Sequence, residues 1–545
     1  MNGIINELLK KRGITNTEDF LNPNYDSTKY DPLLLSDMEK AVSRIKQAIE
    51  AKEKVLIYGD YDVDGMTATV ILMDALPNFG LEVETYTPNR FTEGYGLNME
   101  SIETIAKMGV DLIITVDCGS LSVDEVAEAN KKGMDVIITD HHTIGDKLPD
   151  AVAVINPHRK YSKYPFTDLA GCGVAFKLVQ ALQSKLEGLS KGQEKWLLDL
   201  VALGTVCDIV SLRQENRNNV YWGLEVLKKT RRPGLRALMS VAKVEPSLLN
   251  ARTIGYILGP RLNAAGRLET AQQALELLTT KNNMRALELA QRLDKLNIER
   301  RVEQNKIFSE VCENLDNKDI ANDKVLVIDG EDWNEGVIGI VASKVMERYK
   351  KPTFIISKDK MKAKGSGRSF GDFNLASAVD STKKYITKGG GHAAAAGVSL
   401  EIEKIDNWRR ALNEFYDSLL LKDQQNKLLT KEDSIKNKLI EFDIKLMDEL
   451  ARLEPFGIDN EEPVFKLENM IARFVDRIGK EKNHLKITLS DGERQLKFVA
   501  FNPPEDWFIE PGSKINIWVN LQINNWQGVQ SIEGHIKRLE KSVNL

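Results

Sequence analysis

Cysteine is scarce in this 545-residue chain: four residues, Cys118, Cys172, Cys207 and Cys312, with no CxxC pair among them. That spacing argues against a cysteine-rich zinc site and a disulfide framework, and it fits a reducing cytosol. The four read as plain core residues. No apolar run approaches the roughly 18 residues of a membrane span, so no membrane partner is expected. The opening MNGIINELLKKRG carries early charges and no apolar stretch, so no signal peptide is expected and the expected location is cytoplasmic. A basic surplus is also missing: 75 Lys and Arg stand against 80 Asp and Glu, a net charge of −5. The chain is therefore no generally basic nucleic-acid binder, and any polyanion needs a local basic site.

The bulk composition is that of a soluble globular protein, 42% apolar and 28% charged. The length is too great for one core; at roughly 100–200 residues per domain it suggests about three or four. In the first half, strand-like runs (KVLIYGD, EVETYTP, VDLIITVD, MDVIITD) alternate with helix-like ones (KAVSRIKQAIEA, MTATVILMDAL, VDEVAEANKKG). Alternation of this kind predicts βαβ units, a parallel sheet, and a ligand site beyond the carboxyl ends of its strands. Residues 284–315 contain neither Gly nor Pro and predict one helix of about 48 Å at 1.5 Å per residue. A second α/β region is expected from 324 to about 400, a charged helical insertion near 403–453, and a small β-barrel or sandwich from 454.

The string VLIYGDYDVDGMTA places Asp60, Asp62 and Asp64 at alternate positions after a strand. The D-x-D-x-D-G pattern suggests a calcium loop, but position 12 counted from Asp60 is Ile71, where a bidentate Glu belongs, and a strand precedes it. Other apolar runs deliver similar groups: LIITVDCG ends at Asp117, VIITDHH at Asp140, His141 and His142, and LVALGTVCDIVSL leads to Asp208. Taken singly, an aspartate after a strand is more often a helix cap or a turn residue. Taken together, and with two of only six histidines side by side, the pattern points to a metal site. If the runs share one sheet, their acids meet and repel unless divalent cations stand among them. Carboxylate and imidazole donors suit Mn²⁺, with Mg²⁺ an alternative. Two such ions, about 3.5–4 Å apart and bridged by a shared carboxylate, form the usual clamp for in-line phosphoryl displacement. No Ser/His/Asp or Cys/His triad is evident.

DYDVDG, TVDCG, DHH and the later Asp208 resemble the successive motifs of the DHH phosphoesterase family. The strings LNPNYDSTKYDPLLLSDMEKAV, PNRFTEGYGLN, GPRLNAAGRL, NEGVIGIVASKV, GSGRS and GGGHAAAAG occur in the order found in its bacterial single-strand-specific 5′→3′ exonuclease branch. The resemblance implies an α/β parallel-sheet DHH domain, a long connecting helix, a second α/β DHH-associated domain and a C-terminal all-β OB-fold. The expected bounds are 1–45 for an N-terminal segment, 46–283 for the DHH domain and 284–318 for the connecting helix. They continue with 319–402 for the DHH-associated domain, 403–453 for the insertion and 454–545 for the OB-fold. It further implies that Asp62, Asp64, Asp117, His141 and Asp208 ligate two divalent cations, Mn²⁺ or Mg²⁺, with Asp117 as the bridge. Asp60 is a ligand or stands behind the ligands, and His142 lies near the scissile phosphate. The attacking group is then a metal-activated water.

On the same resemblance, Arg90 holds a terminal 5′-phosphate and Tyr95 packs near the terminal nucleotide. Ser366 and Arg368 belong to the same pocket, and His392 lines the path of the strand. Arg261, Asn263 and Arg267 are expected to contact DNA near the reacting bond, with Arg267 grouped with His142 and Asp60 as catalytic. The implied substrate is 5′-phosphorylated single-stranded DNA, degraded to 5′-mononucleotides in recombination and repair. A single-strand-binding protein and a helicase are implied helpers, and a monomer is implied. A phosphoesterase acting on short oligonucleotides or phosphoanhydrides is the rival reading, but it needs neither the PNRFTEGYG loop nor a C-terminal β domain. A non-catalytic scaffold is a further rival, against which every candidate ligand is intact.

In the tail, Phe474, Phe498, Trp518 and Trp526 are core residues or base-stacking platforms. Asp459 and Glu461 replace residues more often Gly and Pro in the family, which puts strong DNA contact at that loop in doubt. LKKTRRPG, from Lys228, reads as a solvated helix end.

Overall fold

The computed structural model describes residues 3–317, 320, 322–359, 362–420, 435–526 and 529–542. The chain forms two compact units. One comprises Pro32–Asp208 and Glu225–Leu429; the other comprises Met1–Asp31, Ile209–Leu224 and Thr430–Leu545.

The first unit contains a sheet of five parallel strands: β1 (Val55–Gly59), β2 (Val83–Tyr86), β3 (Leu112–Val116), β4 (Asp135–Thr139) and β5 (Ala153–Ile155). Their order is β2-β1-β3-β4-β5, and every pairing is parallel. β1 and β3 are buried throughout, as apolar runs covered on both faces should be. β2 lies on one side of β1 and β3 on the other, so the chain reverses direction across the sheet there. A crevice opens at such a switch point, beyond the carboxyl ends. Gly59, Val116 and Thr139 stand level in the register. The next residues on these three adjacent strands are Asp60, Asp117 and Asp140, so the topology alone gathers the acids.

Asp208 arrives differently from its strand-end neighbours. The apolar run before it is a helix, Leu198–Cys207, and Asp208 is its C-cap. A helix that is apolar all round is one buried all round, and periodicity does not separate such a run from a buried strand. Gly65 lies inside the first turn of the helix Val63–Ala75. A Cβ there would stand 2.7 Å from the Asp60 carbonyl oxygen, so only glycine lets this helix press on the end of β1.

The same unit contains a second sheet: β6 (Leu326–Glu331), β7 (Thr353–Lys358), β8 (Ala363–Arg368), β9 (Lys388–Gly391) and β10 (Ala395–Leu400), in the order β6-β7-β8-β10-β9. Only β6 and β7 pair in parallel. The small-residue stretch after His392 thus enters a strand. The connecting helix runs Asn283–Asp316, and the Asn282 side chain caps it by accepting from the Met284 and Arg285 amides.

The stretch expected as one helical insertion, 403–453, is divided between two cores. The helix Ile405–Leu420 buries Trp408 and Leu412 with Phe354 in the core of the second sheet. Residues 421–434 lie outside the described residues. Leu439, Phe442, Leu446 and Leu450 belong to the core of the other unit. LKKTRRPG is no solvated helix end either: Arg232 is buried and pairs with Asp74 at 2.6 Å and Asp199 at 3.2 Å, while Arg231 stacks 3.7 Å over Trp196.

The second unit is a closed β structure of β11 (Ile435–Lys436), β12 (Phe465–Ile478), β13 (His484–Ser490), β14 (Gln495–Phe501), β15 (Lys514–Trp526) and β16 (Val529–Lys541). The order is β11-β12-β13-β14-β16-β15, and β12 also pairs with β15, which closes the barrel. Ile4, Ile5, Leu8 and Leu9 of the helix Gly3–Lys11 join its core. Phe498 and Trp518 are core residues, whereas Phe474 is 64% exposed. The side chain of Trp526 lies outside the described residues. Phe501, 60% exposed, stands edge-on between the rings of His484 and His535, at 5.2 and 5.5 Å. The acidic loop is tied within this unit: the Asp459 carbonyl accepts from Arg213 Nε at 3.0 Å, and the Glu461 carboxylate accepts from the Asp459 amide at 3.2 Å.

Candidate metal centre

Backbone amides hold several acids of the crevice. Asp62 is the N-cap of the helix Val63–Ala75, and its Oδ1 accepts from the Gly65 amide at 3.0 Å. Asp64 accepts from the amides of Gly171 at 2.6 Å and Cys172 at 2.9 Å, which open the helix Gly171–Lys185. Helix N-termini favour a carboxylate, through their free N–H groups and their dipole. Gly171 also admits Asp117, whose Cβ would stand 2.6 Å from a Cβ at 171. Asp117 itself has a left-handed backbone, φ 59°, and Ile209, directly after Asp208, has φ 61°. Such conformations cost about 1–2 kcal/mol for a non-glycine residue and gather at functional sites.

The side chains meet closely. His141 Nε2 lies 3.1 Å from Asp117 Oδ1, 3.5 Å from Asp208 Oδ2 and 3.7 Å from Asp64 Oδ2. Three groups offer donor atoms within 4.8 Å of one another: Asp64, His141 and Asp208; Asp60, Asp62 and Asp117; and Asp117, His141 and His142. Asp117 and His141 each belong to two of them. Every residue read from the sequence as a metal ligand is therefore in the cluster, together with Asp60 and His142.

The electrostatics fit a cation. Burial first, and then the neighbouring carboxylates, push Asp60, Asp62, Asp117 and Asp208 above the usual carboxylate range. Burial draws His141 down, towards the neutral form that ligates. Asp60 Oδ1, Asp117 Oδ1 and His141 Nε2 are buried without a hydrogen-bond partner. Orphaned donors of this kind, in a set of oxygen and imidazole ligands, are what Mn²⁺ or Mg²⁺ would satisfy.

His142 is set by Asp140, which the sequence placed at a strand end without a role of its own. Asp140 Oδ1 lies 2.8 Å from His142 Nδ1 and accepts from the amides of His141 and His142, while Oδ2 accepts from the Ser120 amide at 2.9 Å. Burial works against ionisation of Asp140, yet these bonds and the two histidines hold it well below the usual carboxylate range. Burial likewise opposes protonation of His142, and Asp140 prevails and raises it. The Tyr95 hydroxyl donates to the Asp117 carbonyl at 3.0 Å and stands 3.0 Å from His142 Nδ1. From beyond the end of β9, His392 stacks on His142 with centroids 5.8 Å apart, and its Nδ1 is 3.3 Å from Thr143 Oγ1. Asn156 fixes the loop by donating to the His142 carbonyl at 2.9 Å. The strand end and the first letter of DHH marked the place of Asp140 in the sequence; Gly171, Cys172 and Asn156 gave no sign of their roles.

Beside the acids stands a cluster of arginines. Arg90 lies 4.2 Å over the Tyr61 ring, and its buried Nε has no partner. Arg368 donates to the Gly367 carbonyl at 2.7 Å and to Ser366 Oγ at 3.3 Å. Arg267 donates to the Gly336 carbonyl at 3.0 Å. Burial first, and then the charges of Arg90, Arg300 and Arg368, disfavour its protonated form. None of these arginines forms an ion pair with a carboxylate among the described residues. Asn263 is on the same face of the helix Gly259–Leu268 as Arg267, one turn earlier. Arg261 is on a different face, and the structure ties it elsewhere than expected: Nε pairs with Asp294 at 2.9 Å and Nη1 donates to the Ile257 carbonyl at 2.7 Å.

Comparison with known proteins agrees with this geometry. The DHH family N-terminal domain matches residues 54–205, the DHHA1 domain 322–418 and the RecJ OB domain 435–538. A protein of Dickeya dadantii named single-stranded-DNA-specific exonuclease RecJ is 34% identical over 533 residues, covering 93% of this chain and 91% of its own. The chain belongs to the RecJ family. Its Bacillus subtilis RecJ relative is 39% identical over 529 residues, which cover 96% of this chain and 66% of that protein. The crystal structure of Thermus thermophilus RecJ in complex with Mn²⁺ superposes with a TM-score of 0.82 at 26% identity, over 99% of this chain and 76% of that one. The RecJ fold therefore extends over both compact units.

Proposed function

We propose that the chain is a divalent-metal-dependent exonuclease that degrades single-stranded DNA from a 5′-phosphorylated end. One observation carries this reading: three groups of metal donors that share members stand beside half-buried arginines with no acid of their own. The first asks for cations and the second for a phosphate. The names of the chain's relatives support the same reaction.

Asp62, Asp64, Asp117, His141 and Asp208, with Asp60 at their edge, would hold two Mn²⁺ or Mg²⁺ ions, which supply charge neutralisation and a water of lowered pKa. Asp117 is the bridging carboxylate on this reading, since it alone of the acids is common to two donor groups. Asp140 accepts a hydrogen bond from His142 Nδ1–H and favours the protonated imidazole, whose Nε2–H then faces the scissile phosphate and stabilises charge in the transition state. Arg90, Arg267, Arg368 and Ser366 grip the terminal phosphate, because guanidinium forks match phosphate oxygens and stay charged when buried. Tyr95 packs at the terminal nucleotide and is held by Asp117 and His142. Fixing the end in this way puts the next phosphodiester at the acids, so the product is a 5′-mononucleotide. His392, brought against His142 from the second sheet, narrows the path to one strand, and Asn263 borders it.

In this reading 46–283 is the catalytic part, 319–402 grips the substrate, and the OB barrel takes the strand further along. The enzyme acts as a cytoplasmic monomer in DNA recombination and repair, with a helicase and a single-strand-binding protein to supply single strands. No described helix is long and apolar enough to cross a membrane. Calorimetric titration with Mn²⁺ tests the centre. Two ions per chain are expected, and none at the bridging position in Asp117→Ala; one ion per chain, unchanged in that variant, would sink the assignment.

A further inference from the structure

The connecting helix Asn283–Asp316 buries one stripe along its length, stepping by three and four residues. The stripe begins with Ala286, Leu289 and Leu293 and ends with Ile307, Val311 and Leu315. Between them the same steps fall on Asn297, Arg300 and Gln304, all buried. A stripe that packs a helix gains from apolar side chains, so three polar ones at its centre are costly unless something uses them.

Arg300 is 9% exposed. It donates to Asn297 Oδ1 at 2.9 Å and to Gln304 Oε1 at 3.1 Å, both neutral acceptors. Its Nε is buried and has no partner, and no carboxylate among the described residues pairs with it. The positive charge is therefore oriented and left uncompensated. Its position explains for what. Before it, the helix is pinned to the Gly259–Leu268 helix by the Arg261–Asp294 pair. After it, the helix is pinned to the second sheet's lobe, where Lys344 donates to Asn305 at 3.2 Å and Trp333 Nε1 donates to Glu310 at 2.8 Å. Arg300 sits between these attachments, on the helix that packs against both the Gly259–Leu268 helix, which carries Arg267, and the Glu335–Tyr349 helix, whose Gly336 carbonyl accepts from Arg267.

We propose that Arg300 is a further ligand of the terminal 5′-phosphate, its guanidinium held by Asn297 and Gln304 with Nε turned to the anion. This rests on the exonuclease reading and adds a specificity residue to its pocket. Removing a buried unpaired charge relieves the free protein, whereas removing a structural strut weakens it.

The test uses the full chain in chelator, with inorganic phosphate as the probe and thermal unfolding as the readout. Phosphate should raise the unfolding temperature of the wild type. Arg300→Met should unfold above the wild type without phosphate and lose most of the phosphate-induced gain. With metal restored, the kcat/KM ratio of 5′-phosphate over 5′-hydroxyl strands should fall roughly tenfold or more, as expected for one lost charge-assisted bond. Arg300→Lys keeps the charge but not the fork, and the same ratio should fall in it too, which covers a failure of the methionine variant to fold. A full phosphate gain and an unchanged ratio in both variants would overturn the proposal. Arg368→Ala separates the two levels: if it loses the preference and the Arg300 variants keep it, Arg300 alone is wrong. If it also keeps it, or if the wild type gains nothing from phosphate, the pocket itself is wrong.

Discussion

The acids of the candidate centre and the arginines beside them are two buried clusters of like charge, built in contrasting ways. The acids follow adjacent parallel strands or stand at helix ends, and backbone amides steady three of them: Gly65 for Asp62, Gly171 and Cys172 for Asp64, Ser120 for Asp140. The arginines come from a loop, two helices and a strand, and are steadied by carbonyls, hydroxyls and amides. The clusters carry opposite charge in the same unit, yet no ion pair joins Arg90, Arg267, Arg300 or Arg368 to any acid among the described residues. The comparison teaches that the scaffold keeps the charges available. Had they paired with one another, neither cations nor a phosphate would gain by binding.

The sharpest break in this comparison is Asp117→Asn. It removes the acid common to two donor groups, so Mn²⁺-dependent hydrolysis should vanish in a strand-degradation assay. The metal-free protein should meanwhile unfold at a higher temperature than the wild type, since a repelling buried charge is gone. Lower stability in the metal-free variant would show that Asp117 has a structural role instead. Asp140→Asn should be milder. Losing the group that orients a functional histidine typically costs about 10–100-fold, and Mn²⁺ stoichiometry by calorimetry should hold at the wild-type value.

On the arginine side, Arg368→Ala should lower the preference for a 5′-phosphate over a 5′-hydroxyl by roughly tenfold or more, the scale of a charge-assisted hydrogen bond, with metal binding intact. Loss of metal in this variant would merge the two clusters into one. The smallest effect is expected at Arg261→Ala, which breaks the partly exposed pair with Asp294. Denaturant unfolding should show a loss of about 1 kcal/mol or less, with no change in end preference. A lost preference there would restore the sequence expectation that Arg261 faces the DNA.

Most of the acid cluster was legible in the sequence because its geometry is local. A carboxylate directly after an apolar strand is placed by the strand, and Asp60, Asp117 and Asp140 needed only the parallel topology. Asp208 stands in the cluster, but it follows a helix and not a strand, because a ten-residue apolar helix reads like a strand. The support of Asp64 was hidden: the amides of Gly171 and Cys172 carry no side-chain signature, and the pairing spans more than a hundred residues. The role of Arg300 was invisible for the related reason that helical spacing marks a buried stripe only once the packing shows which face is buried. Arg261 and Arg267 were both read as DNA contacts in GPRLNAAGRL, and six residues of helix turn them about 120° apart.

The central claim is that cations at the acids and a phosphate at the arginines are parts of one 5′-end reaction. Degradation of a single strand labelled at either end, with Mn²⁺ and with chelator, tests it most directly. The account predicts immediate release of a labelled mononucleotide from the 5′-labelled strand, delayed release from the 3′-labelled one, and none with chelator. Immediate release from the 3′ label, or equal digestion of blunt duplex ends, would contradict it.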